Sequence, residues 1–339
     1  MQPSTAPASA SPDDSASPPT QSAPKRTGAL AALEWMVARA LFPTVLGLSI
    51  AYAIREIEAG VDPGLAVGGP TVLAYFVIGG FERLFYWQRD WLRSHGDVRV
   101  DFGHLLVSGL LTVRLLEIPV RLGAILVATW LAGQVGGSIW PNEWNLWLQL
   151  LLALVYGEFF MYWVHRLTHM HDLLWRFHAM HHSAPRLYFM NAIRFHPVDL
   201  ALSNFAPMVP LIVIGADARV IALFGLFSAV HGLFQHANIV IRLGPLNWFF
   251  SMAELHRWHH SRHLEESNTN FGQNLIVWDI VFGTRFLPKD REPPTDIGIA
   301  GLPSFPMTYW AQIMSPFQWR KIREESAEMG AGPTLLSER

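Results

Sequence analysis

The chain has 339 residues, of which 51% are apolar and only 15% charged, against about a quarter charged in an ordinary soluble domain. A mean hydropathy of +0.22, a formal net charge of −2 and a pI near 6.7, with no Lys/Arg stripe, exclude nucleic acid as a partner. The absence of cysteine excludes disulfides, thiolate metal sites, thiol catalysis and cysteine-held iron–sulfur clusters, so any metal must bind nitrogen or oxygen.

Residues 1–28, rich in Ala, Ser and Pro, lack the apolar core of a signal peptide and read as a disordered N-terminal tail. A bilayer-spanning helix needs about 20 mostly apolar residues. Four stretches meet that length, at 29–54, 65–81, 105–133 and 146–164. The third carries Arg114, Glu117 and Arg121 and is expected to tilt strongly or break at Pro119. The apolar stretch 200–234 is interrupted by Pro207, Pro210 and Gly215, which predicts two short helices in a membrane-dipping hairpin. Segment 82–101 holds Arg83, Arg89, Arg93 and Arg99, whereas 133–144 holds no Lys or Arg. The positive-inside rule then places the end of the fourth span, and all chemistry after it, on the cytoplasmic side. The expected divisions are a tail (1–28), transmembrane helices (29–145), a catalytic domain (146–287) and a polar C-terminal tail (288–339) with an amphipathic piece near 310–319.

Thirteen of the fifteen histidines fall within 165–263, where an even scatter would put about four. His165 and His169 form H-x-x-x-H; His178, His181 and His182 form H-x-x-H-H, a pattern repeated by His256, His259 and His260. On a helix, residues three and four apart share a face, so each motif presents its imidazoles as a stripe. Neutral imidazoles need partners when buried and protonated neighbours repel; a metal ion removes both problems. Imidazole suits iron, zinc, copper and nickel, and spacing alone narrows the choice no further. Eight or more ligands exceed what one ordinary ion uses, which points to two. Glu158 lies seven residues before His165 in an apolar helix and is expected to accept an imidazole N–H, with Asp172 and Asp279 as candidates for the same role. The segments 270–272 and 279–284 read as turns that shape the site.

The run HRLTHMHDLLWRFHAMHHS, the later RFHP and HGLFQHAN, and HRWHHSRH followed by NFGQNLIVWDIVFGT resemble the fatty acid hydroxylase and sterol desaturase superfamily over residues 150–287. The resemblance implies an all-α integral membrane protein of about four transmembrane helices, with a cytosolic helical cap holding a non-haem di-iron centre. It also implies O₂-dependent hydroxylation or desaturation of a lipid, or ether-lipid cleavage. Ligand roles are carried onto His165, His169, His178, His181, His182, His236, His256, His259 and His260, and onto His231. The spacing of five between His231 and His236 does not fit one helical face, so that helix is expected to break or bend if both bind. Family members with a fused haem domain draw electrons from it; no such motif occurs here, so a separate electron-transfer protein is expected. Zinc is expected to replace iron readily in such imidazole sites. The lipid substrate is left open. A metal-binding or metal-transport membrane protein is the rival of another class, and it would need ionisable residues threading several spans.

Overall fold

The computed structural model describes residues 26–332, and among them there are thirteen α-helices and no strand, only three isolated bridge pairs. The tail expected over 1–28 lies, as far as residue 25, outside the described residues. In chain order the helices are α1 (Gly28–Glu58), α2 (Pro63–Leu84), α3 (Val98–Gly103), α4 (Val113–Val135), α5 (Leu146–Met170), α6 (Asp172–His182), α7 (Pro197–Val213), α8 (Ala218–His236), α9 (Ala253–His259), α10 (Leu264–Ser267), α11 (Val277–Val281), α12 (Tyr309–Met314) and α13 (Trp319–Glu328).

Helix ends follow local chemistry. Asp62 accepts the Gly64 and Leu65 amides (2.9 and 3.2 Å) and Pro63 opens α2, while Asn145 accepts the Leu148 amide (3.0 Å) to start α5. α4 stops at Gly136, whose φ of +81° is the left-handed C-terminal turn that glycine adopts without steric cost. Between α7 and α8 the chain reverses at Gly215 (φ +98°), where an added Cβ would lie 2.2 Å from Ser138 Oγ.

Joined by short connections, these helices run as three sequential hairpins, α1–α2, α4–α5 and α7–α8; α4 and α5 pack on α7 rather than on each other, and α1 and α2 pack on α8. Their short connections lie at one end, where the Trp140 N–H donates to the Ile214 carbonyl (2.8 Å) and Asn142 donates to that of Gly215 (3.1 Å). The longer connections and the remainder of the chain gather at the other end as a cap. α1, α2, α5 and α8 are long and apolar enough to cross a membrane. α1, α2 and α5 match the first, second and fourth expected spans, and α8 is the second helix of the expected hairpin. The stretch expected as the third span is π-helical over His104–Thr112 and continues as α4, whose Ile118, Leu122 and Leu126 face outward. Pro119, Pro207 and Pro210 sit inside helices rather than ending them. Helical irregularity falls instead on His104–Thr112, a π-helical stretch where Gly109 lets Ile193 approach within 2.6 Å of the missing Cβ.

The core between the hairpins is built from Phe42, Ile50, Ile78, Leu154, Leu223 and Phe234, with Ala53, Ala74 and Ala153 allowing close helix approach. Outward faces carry exposed Leu48, Phe76, Ile118, Leu126 and Leu151, as a lipid-facing surface requires. A second core of Trp175, Met180, Leu302, Phe305, Trp319 and Ile322 joins α6 to the C-terminal helices.

Segment 186–196 is tied to the α2–α3 connection and α3 by buried charge. Arg186 pairs with Asp97 (2.6 Å) and Arg194 with Asp101 (2.5 Å), and the Tyr188 hydroxyl donates to Asp101 (2.7 Å). Glu82 accepts the amides of Phe189 and Asn238 (2.9 and 3.0 Å). Removing one member of a buried pair leaves the other uncompensated. Asp101→Ala is therefore expected to lower stability by about 3–5 kcal/mol, read as a drop in the unfolding midpoint of detergent-solubilised protein; an unchanged midpoint would contradict this role.

Candidate metal centre

The last turns of α5 carry His165 and His169 on one face, α6 adds His178 and His182, and α9 adds His259. All five are buried, and one ligand atom from each lies within 4.8 Å of the others. His165 Nδ1–H donates to the Phe271 carbonyl (2.6 Å), His259 Nδ1–H to the Thr269 carbonyl (2.8 Å) and His178 Nδ1–H to the Asp199 carboxylate (2.8 Å). A carbonyl or carboxylate can only accept, so the Nε2 lone pairs of these three rings face inward. The Nε2 atoms of His165, His169, His178, His182 and His259 are all buried with no protein partner.

A second group adjoins the first and contains His181, His236, His256 and His260, also buried and within the same 4.8 Å limit. His236 Nδ1 bonds Asn191 Oδ1 (2.9 Å), His181 Nδ1 lies 3.3 Å from the Arg194 carbonyl, and the His181 ring stacks on Phe195 at 4.2 Å. His256 Nε2 sits 2.9 Å from the Nε2 of both His236 and His260. Three ring nitrogens this close need either a shared proton or a cation between them. Ring centroids of His182 and His260 are 4.5 Å apart, and those of His178 and His181 5.4 Å, so the groups share a wall.

The two H-x-x-H-H motifs are crossed between the groups. In α6 the i,i+4 pair His178 and His182 serves the first and His181 the second; in α9 and its C-terminal cap residue, the pair His256 and His260 serves the second and His259 the first. Helical geometry produces this directly, since residues four apart lie about 40° apart around the axis and the third member is rotated away from that pair.

Burial pushes the His259 imidazole down to about 3, helped by the neighbouring His178, and burial holds His181, His182, His256 and His260 well below the usual histidine range. They are neutral near pH 7, the form in which imidazole ligates a metal. Five unpartnered Nε2 atoms in the first group and three mutually crowded Nε2 atoms in the second, all buried on neutral rings, fit a pair of cations of the imidazole-binding kind.

Of the ten expected ligands, His231 alone lies outside both groups. α8 continues without a break to His236, so five residues rotate His231 about 140° away. It sits fully buried against Phe42 (5.4 Å) and Phe227 (5.9 Å), with neither ring nitrogen partnered.

The carboxylates also act differently from expectation. Glu158 meets no imidazole; its Oε1 accepts the amides of Gln273 (2.5 Å) and Asn274 (2.9 Å). Asp279 accepts the amides of Phe271 (2.8 Å) and Gly272 (2.7 Å) and the Thr284 hydroxyl (2.7 Å). Burial pushes the Asp279 carboxyl up to about 6, against the pull of those donors. Both acids thus hold the 270–274 loop, whose Phe271 carbonyl orients His165. Gly272 is required there, because a Cβ would lie 2.3 Å from the Leu275 carbonyl oxygen. Asp172 pairs with Arg176 at the surface, away from both groups. Sequence reasoning missed Asp199 and Asn191, which orient His178 and His236. An acid three residues after His196 at the start of an apolar helix was the signal for Asp199; Asn191 gave none.

The sequence profile of the fatty acid hydroxylase family matches residues 150–284, which contain all nine converging histidines, both loop-holding acids and Asp199. The ornithine lipid hydroxylase OlsE of Rhizobium tropici is 39% identical over 254 residues, covering 74% of each chain. This chain belongs to the fatty acid hydroxylase family. An alkylglycerol monooxygenase of Xenopus tropicalis is 30% identical over 155 residues, 45% of this chain and 33% of that protein. Sphinganine C4-monooxygenase 2 of Arabidopsis thaliana is 24% identical over 244 residues, 68% and 91% of the two chains. No solved structure matches. As a member of the fatty acid hydroxylase family, the chain is an O₂-dependent oxidoreductase.

Outer partners of metal-binding histidines commonly carry about 10–100-fold of metal affinity. Asp199→Ala, which leaves His178 Nδ1 without its acceptor, is expected to weaken metal retention by that order in a chelator competition; retention equal to wild type would remove Asp199 from the site.

Proposed function

We propose that this chain is a multi-pass membrane hydroxylase that inserts one atom of O₂ into an unactivated C–H bond of a lipid, using two iron ions held by the two histidine groups. The single observation carrying this reading is the division of nine buried imidazoles into adjoining sets of five and four, the five with Nε2 atoms that have no protein partner and the four with Nε2 atoms of His236, His256 and His260 crowded on one another. His165, His169, His178, His182 and His259 would hold one ion, and His181, His236, His256 and His260 the other. Zinc fits the same donors and is the expected substitute in a purified sample.

No amino-acid side chain supplies an oxidant strong enough for this bond, so the metals supply the redox chemistry. The reaction takes a C–H bond, O₂, two electrons and two protons to C–OH and water. The electrons are assigned to a separate electron-transfer protein. The chain's own residues orient the ligands through fixed acceptors, hold the rings neutral and keep bulk water out of a buried site.

Position supports a lipid substrate. The two groups lie where α5 and α8 enter the cap, at the boundary between the apolar hairpins and the polar end. The cap is assigned to the cytoplasmic side. The connections at the opposite end, 59–62, 136–145 and 214–217, hold no Lys or Arg, although Arg55 and Arg219 occupy adjoining helix turns; the cap-end connection 85–97 holds Arg89 and Arg93. The 39% identity to an ornithine lipid hydroxylase makes an acyl lipid with an amino-acid headgroup the first substrate class to test. Desaturation and ether-lipid cleavage are the alternatives within the same chemistry.

Expression in cells that make ornithine lipid is expected to yield lipid heavier by one oxygen atom, and isotopically labelled O₂ should deliver that atom. His181→Ala and His259→Ala should abolish the product. Product formation undiminished in those variants, or label arriving from water, would overturn the proposal.

A further inference from the structure

We propose that residues 307–318, at the C-terminal edge of the cap, form an amphipathic foot that lies in the headgroup–acyl boundary of the bilayer; this rests on the multi-pass reading above. Trp310, Met314 and Phe317 recur at i, i+4 and i+7 and face outward, with Trp310 72% and Phe317 71% exposed. A large aromatic that open to water is unusual for a well-anchored helical segment, and this one is well anchored. Gln312 on its opposite face bonds His104 Nε2 (3.0 Å) and donates to Ser183 Oγ (3.2 Å). The Ile313 carbonyl accepts from His196 Nε2 (3.2 Å), and Ser315 and Pro316 are buried.

Continuity identifies the occupant. Tyr309 packs on the His104 ring at 4.7 Å and against Gly103, where an added Cβ would lie 3.0 Å from its ring. α12 is thereby fixed beside α3 and the π-helical stretch, whose exposed Phe102 and Leu106 belong to the apolar outer surface of the hairpins. A protein covering Trp310 and Phe317 would have to share that edge with the hydrocarbon, whereas a lipid surface covers both without interruption. The polar limit of the foot is α13, where Arg320 pairs with Glu324 (3.4 Å) and Lys321 with Glu325 (3.7 Å) in water. Apolar and aromatic side chains on one face with a charged edge describe a helix lying in the interface plane. The foot holds α6, and with it His178, His181 and His182, at a set height above the hydrocarbon through Phe177, which meets Phe317 at 6.4 Å.

Because the chain has no cysteine, single nitroxide labels can be placed in the full-length protein at Trp310→Cys, Phe317→Cys, Arg320→Cys and, within α2, Phe76→Cys. The proteins are reconstituted in phosphatidylethanolamine and phosphatidylglycerol vesicles, and relaxation by O₂ is compared with relaxation by a water-soluble nickel chelate. O₂ is expected to dominate at 310, 317 and 76, and the ratio to reverse at 320. Labels at 310 and 317 that follow 320 while 76 remains in lipid would overturn the foot alone. A water-exposed label at 76 would overturn the multi-pass reading and the foot with it.

Discussion

Everything in this molecule turns on how nine imidazoles can be buried together. Each ring must give its N–H to a fixed acceptor and its lone pair to something positive, or the protein carries an unsatisfied polar group in an apolar interior at a cost of about 1–3 kcal/mol each. Five of the nine rings have such an acceptor: the carbonyls of Phe271, Thr269 and Arg194, the carboxylate of Asp199 and the side-chain carbonyl of Asn191. The second need is what fits the cluster to metal ions rather than to an apolar core.

The scaffold follows from that demand. Acceptors must be immobile, so the loops that carry them are themselves held: Glu158 and Asp279 accept the successive amides of 271–274, and Arg186, Arg194 and Glu82 pin 186–196 against the α2–α3 region. Three hairpins then deliver the ends of α5 and α8 to one side of the apolar slab, beside α6 and α9. The crossed use of the two H-x-x-H-H motifs means that neither group can be displaced without disturbing the other. A distortion of α6 moves ligands of both.

Much of this was legible in the sequence, for a reason of periodicity. His165 with His169 sits on α5 and the two H-x-x-H-H motifs on α6 and α9, where helical spacing fixes which side chains share a face. Length and hydropathy likewise marked α1, α2 and α5. Reasoning failed where tertiary placement decides. His231 lies on the same helix as His236 but faces Phe42, and only the continuity of α8 settles which of the two turns inward. Glu158 is on the expected stripe, yet a loop more than a hundred residues away in sequence reaches it first. Prolines in apolar helices were read as breaks, whereas lipid-facing helices retain them when neighbours pack around the gap. The acceptor carbonyls carry no side-chain signature and could not have been found from residue type.

The most direct measurement is iron-edge anomalous diffraction from crystals of the iron-loaded protein. The account predicts two peaks, one enclosed by His165, His169, His178, His182 and His259 and the other by His181, His236, His256 and His260. A single peak shared by both groups, or iron bound elsewhere while these rings pair only with one another, would contradict it.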